Sequence, residues 1–308
     1  MAPEARDRQA PAPMEPITEH APAKVNLTLA LGPTRDIDGR HELVTVFEPL
    51  TLHDTVTLSA SRSGLDEVDC EGVTGPNLAS RALGLFRAET GWDGPAVRLT
   101  IVKRIPVAAG MAGGSADAAA ALRLAQRASG GLASDDQLHA IAFQLGADVP
   151  AQLRPRRALG EGAGERLRDL PPAAADYGVL VLPSAHELST GAVFAQADEL
   201  GLARDADALA DVLHAVDRAD APGPLSAATG GVPLLNDLEP AARALQPAID
   251  EALQAARAAG ADHAMVSGSG PTVVGLFADP ARAAAAHDAL RDRVPAPILT
   301  GPLRGARA

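Results

Sequence analysis

Between positions 106 and 121 the chain reads Pro-Val-Ala-Ala-Gly-Met-Ala-Gly-Gly-Ser-Ala-Asp-Ala-Ala-Ala-Ala. Gly110, Gly113 and Gly114 let the backbone turn where a Cβ would stand in the way. The alanine run behind them predicts a helix up to about residue 128. The first N–H groups of such a helix have no partner inside it and lie at the positive end of its dipole. A Val- and Ile-rich strand at 97–103 leads into the loop. Strand, glycine loop and helix together form a concave row of donors suited to an anion. Ser115, at the junction, adds a hydroxyl for a phosphate or for Mg²⁺. The stretch is not a P-loop, because no Gly-Lys-Ser/Thr is present, and the three-glycine spacing of the dinucleotide fingerprint also fails. The plainer alternative is a helix start behind a flexible loop.

The rest of the composition narrows the class of partner. The chain has 308 residues, 39 acidic and 27 basic, with a formal charge of −12. An acidic chain without basic blocks is unsuited to wrapping nucleic acid. No apolar run reaches the roughly 18–20 residues of a membrane span, and no secretory signal is visible, so a cytoplasmic location is expected. The one cysteine, Cys70, has no partner for an internal disulfide. Aromatic residues make up 2% of the chain, so the core must be built from Leu, Val, Ile and Ala. At about 100–200 residues per domain the length suits one large or two medium domains.

The elements can be placed from periodicity and breakers. Residues 1–16 read as a disordered tail. Strands are expected at 17–31, 42–52, 54–60 and 97–103, and helices at 77–89, from the glycine loop to 128, and at 134–145. A flexible turn follows at 160–164 and a Pro/Ala-rich linker at 170–176. In the second half strands are expected at 178–182, 263–267, 272–277 and 296–300, with helices at 189–199, 205–217, 238–259 and 280–292. Helices and hairpin-like strands are mixed, so the class is α+β.

Three shorter segments carry chemistry. Nearly every basic residue is Arg, and the only lysines are Lys24 and Lys103. In a chain so biased toward Arg, a retained lysine suggests a need for a compact, tunable amine. Lys24 and Asn26 are two apart on a strand and share a face, which can hold a phosphate or a substrate hydroxyl or be simply solvated. Asp148, in Gly-Ala-Asp-Val-Pro, is either a base on a fixed backbone or a helix N-cap. Ser267-Gly-Ser-Gly-Pro271 permits close approach of another backbone element or makes a tight turn.

In order, Pro-x-Lys-x-Asn, Pro-x-x-x-Gly-x-x-Gly-Gly-Ser-Ala, Gly-Ala-Asp-Val-Pro and Ser-Gly-Ser-Gly-Pro resemble the GHMP small-molecule kinases. Asp38-Gly-Arg-His41, Asn77-Leu78 and Leu235-Asn-Asp-Leu-Glu239 add to the likeness, which spans about residues 20–300. It implies a two-domain α+β GHMP kinase fold. Residues 17–172 would form an N-terminal ATP-binding domain with a left-handed βαβ unit. Residues 173–302 would form a ferredoxin-like C-terminal domain, with the substrate between them. ATP and Mg²⁺ are the implied cofactors. The implied substrate is a cytidine diphosphate-linked methylerythritol of the non-mevalonate isoprenoid route, phosphorylated on its 2-hydroxyl. Homoserine or a mevalonate-type alcohol is the alternative, as is a non-catalytic member sensing a nucleotide or sugar.

By the same resemblance, Pro106, Val107, Ala108, Ala109, Gly110, Met111, Ala112, Gly113, Gly114, Ser115 and Ala116 cradle ATP, with Ser115 near Mg²⁺. Asn77, Leu78 and Lys103 flank the adenine. Lys24 and Asp148 are the catalytic pair and Asn26 positions the substrate. His41 bonds the cytosine edge and Phe194 stacks on its face. The sequence departs from the family at Arg40, where Tyr is usual, and at Arg154-Pro-Arg-Arg157, where glycine is usual. A guanidinium plane also stacks on rings, so Arg40 is expected opposite Phe194.

Overall fold

The computed structural model describes residues 14–73, 75–107 and 110–304. Most of the expected tail, and Ala108 and Ala109 of the glycine loop, lie outside the described residues. Met14, within the expected tail, packs on the core. In chain order the first half runs β1 (Ile17–Thr34), β2 (His41–Ala60), β3 (Glu67–Cys70), α1 (Leu78–Thr90), β4 (Val97–Val102) and α2 (Gly113–Ala128). It continues with α3 (Asp135–Leu145), α4 (Val149–Leu153), β5 (Ala158–Glu161) and β6 (Arg166–Asp169). The second half is β7 (Gly178–Leu182), α5 (Thr190–Glu199), α6 (Ala206–Arg218), α7 (Ser226–Thr229), β8 (Leu235–Asn236), α8 (Glu239–Leu245) and α9 (Ala248–Ala258). It closes with β9 (His263–Val266), β10 (Val273–Phe277), α10 (Pro280–Leu290) and β11 (Ile298–Thr300). Among the described residues no helix is long and apolar enough to cross a membrane.

Two sheets organise the molecule. The first has the order β3-β4-β2-β1-β8, with β5 paired to β2 and β6 to β5. Its centre is the long antiparallel pair β1–β2, whose register shifts between Pro22 and Lys24 and again between Asn26 and Thr28. A regular strand would put Ala21 and Ala23 on one face. Here Ala21 joins the core under α1 and α2, while Ala23 joins the core against the second half. The bulge reverses the alternation and turns Lys24 toward the glycine loop. Alanines 116 and 118–121 are almost fully buried, so α2 can lie close against the sheet and α1.

The second sheet is antiparallel, in the order β11-β7-β10-β9. Strand, helices, two strands, helix and strand with that order make a ferredoxin-like unit. The second half also completes the first sheet: β8 pairs parallel with β1, and Pro302 bridges to Leu50. Leu209, Val212 and Val216 of α6 pack in one core with Val25, Leu27, Val44 and Val46 of the hairpin.

Local chemistry corrects several expected elements. The strands expected at 42–52 and 54–60 are one strand, β2, because the long partner β1 carries it through. The helix expected over 238–259 breaks at Gln246 and Pro247, since proline supplies no N–H to continue it. The turn at 160–164 is the tip of a β5–β6 hairpin. Strands β3 and β8 and helix α4 are short and carry no period that would announce them.

Candidate active site

A cavity of about 680 Å³ opens between the hairpin β1–β2, the glycine loop, the α3–α4 turn and the start of α5. Lys24 and Asn26 stand in its wall, 6% and 4% exposed, which rules out a solvated strand face for them. Lys24 Nζ donates to Asn26 Oδ1 at 2.8 Å and lies 3.4 Å from Asp148 Oδ2. Asn26 Nδ2 donates to Thr45 Oγ1 at 2.7 Å, and that hydroxyl donates to the Thr28 carbonyl at 2.8 Å. The chain of bonds orients the amide so that its oxygen meets the ammonium. The Phe47 ring lies 5.6 Å from the same Nζ.

Asp148 occupies the N-cap position of α4 yet makes no side-chain cap bond. Of the two roles open to it, the cap is therefore excluded. Its carboxylate, about one-third exposed at 36%, faces Lys24 and the cavity.

The glycine loop reaches the cavity from the other side. Gly110 has φ +67°, and a Cβ there would lie 2.2 Å from the Ser267 carbonyl oxygen. The segment 267–270 thus makes the close backbone approach that its glycines permit, with Ser267 Oγ donating to Gly110 O at 3.2 Å. The left-handed residue that turns the chain into α2 is Ala112, at φ +56°. The first intrahelical bond runs from Ala116 N–H to Ala112 O, which leaves the N–H groups of Gly113, Gly114 and Ser115 ahead of the ladder.

Not all of the expected cradle faces the cavity. Pro106, Val107, Gly110, Ala112, Gly113, Gly114 and Ser115 line it. Met111 and Ala116 turn into the two cores, each 1% exposed; Met111 contributes only its carbonyl, which accepts from Lys24 N–H at 3.2 Å. Asn77 and Leu78 line the cavity at the start of α1, and Asn77 Oδ1 caps that helix by accepting from Ala79 N–H at 2.8 Å. The Lys103 ammonium is held by two carboxylates, Asp54 and Asp117, the latter at 2.7 Å. Burial acts to lower the Lys103 pKa, but the two acids outweigh it and raise it. Burial pushes the Asp117 carboxyl up to about 6 against the pull of Lys103.

Phe194 lines the far end, beside Leu188, Thr190 and the segment 268–270. Arg40 does not stand opposite it. Its guanidinium lies 5.6 Å from the Phe143 ring on α3, because the loop between β1 and β2 leans toward that helix. His41 is buried outside the cavity wall, 5.8 Å from the Phe194 ring. Its Nδ1 meets Gly32 O at 2.8 Å and its Nε2 meets Asp198 at 3.0 Å, so both ring nitrogens are already engaged rather than offered to a base edge. Thr45, Phe47, Asp54 and Asp117 belong to the site or its support but were not singled out from the sequence. Only Asp117, inside the glycine-loop segment, stood in a stretch already marked for chemistry. Arg157, in the Arg-rich departure, is buried and pairs with Glu48 instead of reaching the site.

Comparison with known proteins places this geometry. Residues 77–155 match the GHMP kinases N terminal domain and residues 224–296 the GHMP kinases C terminal domain. A 4-diphosphocytidyl-2-C-methyl-D-erythritol kinase of Kineococcus radiotolerans is 44% identical, over 89% of this chain and 85% of its own length. The chain belongs to the GHMP kinase family. A relative in Streptomyces coelicolor of the same name is also 44% identical, over 85% of this chain and 88% of its own length. The crystal structure of a 4-(cytidine 5'-diphospho)-2C-methyl-D-erythritol kinase superposes with a TM-score of 0.74 at 33% identity, covering 94% of this chain and all 100% of the other. A homoserine kinase from Cytophaga hutchinsonii, at 17% identity and a TM-score of 0.69 over 96% of each chain, shares the fold. As a GHMP kinase the chain has the family's two-part α+β architecture, with the glycine loop inside the matched N-terminal domain.

Proposed function

We propose that this GHMP kinase transfers the γ-phosphoryl group of ATP to the 2-hydroxyl of 4-diphosphocytidyl-2-C-methyl-D-erythritol. The observation that carries the reading is the pair Lys24–Asp148, 3.4 Å apart and facing one cavity with the glycine loop. The names of the relatives at 44% identity support the choice of alcohol.

In this reading the N–H groups at the start of α2 hold the phosphates, and Asp148 accepts the proton of the alcohol as its oxygen bonds to the γ-phosphorus. The bond from that phosphorus to the bridging oxygen breaks, and ADP leaves with the electron pair. Lys24 stabilises negative charge on the alcohol oxygen and on the transferring group. Asn26, fixed through Thr45, sets where that ammonium points. Such transfer needs mainly positioning and electrostatics, which these residues supply.

Mg²⁺ fits the donor set. Ser115 and Asp148 offer hard oxygens beside the phosphate loop, and among the described residues no group of three or more His, Cys, Asp or Glu could cage a metal alone. Mg²⁺ characteristically binds through one or two protein oxygens plus substrate phosphates. When bound it would neutralise charge on the phosphates.

A coupled ADP-release assay tests the proposal, with the cytidine diphosphate substrate beside homoserine and mevalonate. Turnover on the first alone is expected. One observation favours a second reading, a base-free alcohol: the Arg40 guanidinium, expected opposite Phe194, lies on Phe143 instead. Preference for homoserine or mevalonate would establish that reading instead. A non-catalytic sensor is disfavoured because both Lys24 and Asp148 are present and paired.

A further inference from the structure

We propose that Asp54, Lys103 and Asp117 form a clamp that holds the phosphate loop in its binding shape, so that Lys103 is a positioning residue acting through the loop. The inference rests on the reading of residues 106–116 as the site of the nucleotide phosphates.

The clamp ties the two ends of the loop together. Asp54, on β2, is wholly buried and is not part of the cavity wall. Its Oδ1 accepts the N–H groups of Arg104 and Ile105, the latter at 2.8 Å, where the chain leaves β4 for the loop. Its Oδ2 accepts from Lys103 Nζ. The same ammonium donates to Asp117 Oδ2 at 2.7 Å, where the chain has already entered α2. Both ends of the loop therefore converge on one Nζ.

That ammonium also lies under the first turn of α2. A Cβ on Gly113 would come within 3.3 Å of Lys103 Nζ and 3.1 Å of Ile105 Cγ2. Gly113 is thus seated against the clamp, whereas a Cβ on Gly114 would meet nothing within 4 Å. The glycines that let the loop turn also give it many other shapes. Tethering both ends restricts those shapes before the ligand arrives, which lowers the ordering cost of binding. Asp117 Oδ1 is buried with no hydrogen-bond partner among the described residues, while its Oδ2 takes the bond from Lys103. Lys103, with its ammonium spent on two acids, has little left for adenine.

Asp54 separates this role from direct contact, because a wholly buried group outside the cavity cannot touch ATP. ATP binding to the full-length Asp54→Asn chain is measured by calorimetry, with hydrogen exchange over 104–116 and the thermal midpoint alongside. The expected result is an ATP Kd raised about tenfold and faster exchange in the loop. The alcohol KM and the kcat at saturating ATP should stay within about twofold. Should Asp54→Asn fail to fold, Asp117→Asn, which keeps the shape and one acceptor, stands in on one readout: exchange over the loop in the ATP-free chain should quicken, and unchanged exchange overturns the clamp. A folded Asp54→Asn with wild-type ATP affinity overturns the clamp, and if Lys103→Met then loses affinity, Lys103 touches the nucleotide itself. Equal losses of ATP and alcohol affinity, together with a lowered midpoint, reduce the three residues to general scaffolding and also overturn it. A wild-type chain that binds no ATP overturns the nucleotide reading, and the clamp with it.

Discussion

Asp148 stands where a helix N-cap belongs, yet its carboxylate bonds no N–H of α4 and lies instead 3.4 Å from Lys24 Nζ. The two residues come from different elements lining the cavity, one from a strand and one from a helix start. A position that could have stabilised a helix is kept free for an ion pair at the site.

Lys24→Met and Asp148→Asn should each reduce turnover by at least about a hundredfold, the lower range for a lost acid–base partner. ATP binding should persist in both. A nucleotide-binding isotherm beside the ADP-release assay checks this. For Asp148→Asn, a fall in ATP affinity as large as the fall in turnover would make Asp148 a structural group.

The glycines of the loop should differ in what they tolerate. Gly110→Ala forces a Cβ to 2.2 Å from Ser267 O at φ +67°. It should lose on the order of 1–3 kcal/mol, measured by urea unfolding followed through the single tryptophan, Trp92. Gly114→Ala has open space around its Cβ and should unfold like the wild type. A change in its ATP KM alone would then report on phosphate contact.

Arg40→Ala should leave the KM of the cytidine substrate within about threefold, because the guanidinium rests on Phe143 outside the cavity. Phe194→Ala should raise that KM about tenfold, within the ~1–3 kcal/mol that stacking of a base on a ring contributes in single-strand binding proteins. Steady-state kinetics of the two variants settle this. A tenfold effect at Arg40 would return it to the role of base stacker.

Arg157 is 4% exposed and donates twice to Glu48, which is 1% exposed, and once to Thr229 O at 2.7 Å. Burial, opposed by Arg157, raises the Glu48 pKa. Arg157→Leu strands that acid and should cost about 3–5 kcal/mol, read as a lower urea midpoint. A midpoint within error of the wild type would show that the pair contributes nothing.

Stability should also carry the titration of Asp117. Its pKa is raised from 3.8 to about 6 in the folded chain, first by burial. Between those values the folded chain holds a proton that the unfolded chain has released. The contribution is complete below pH 3.8 and is lost as pH rises through about 6, by on the order of 2–3 kcal/mol. The difference in unfolding free energy between the wild type and Asp117→Asn should fall across that window. A flat difference would place the Asp117 pKa near its ordinary value.

Much of the site was legible in the sequence because its pieces are local. Strand, glycine loop and alanine helix follow one another in the chain, and each announces itself by residue type. The i, i+2 spacing placed Lys24 and Asn26 on one face, and their 2.8 Å bond agrees. The motif order carried the family. Helices with clear periods and breakers, α1, α3, α5, α6 and α10, lie close to where they were expected.

What the sequence left open depends on neighbours distant in the chain. Nothing local tells that β1 bulges between Pro22 and Lys24, because a bulge is a property of two strands and not of one. That bulge decides which face Lys24 takes. Asp148 could cap or could pair until a lysine more than a hundred residues earlier was brought beside it. Arg40 and His41 looked like base-binding groups by their motif, yet Phe143, Gly32 and Asp198 hold them elsewhere. Residue types and short spacings determined which chemistry this chain can hold. Strand register and the packing of the second half against the first decided which side chains meet in the cavity, because a strand or loop presents its groups only in the direction its partners allow.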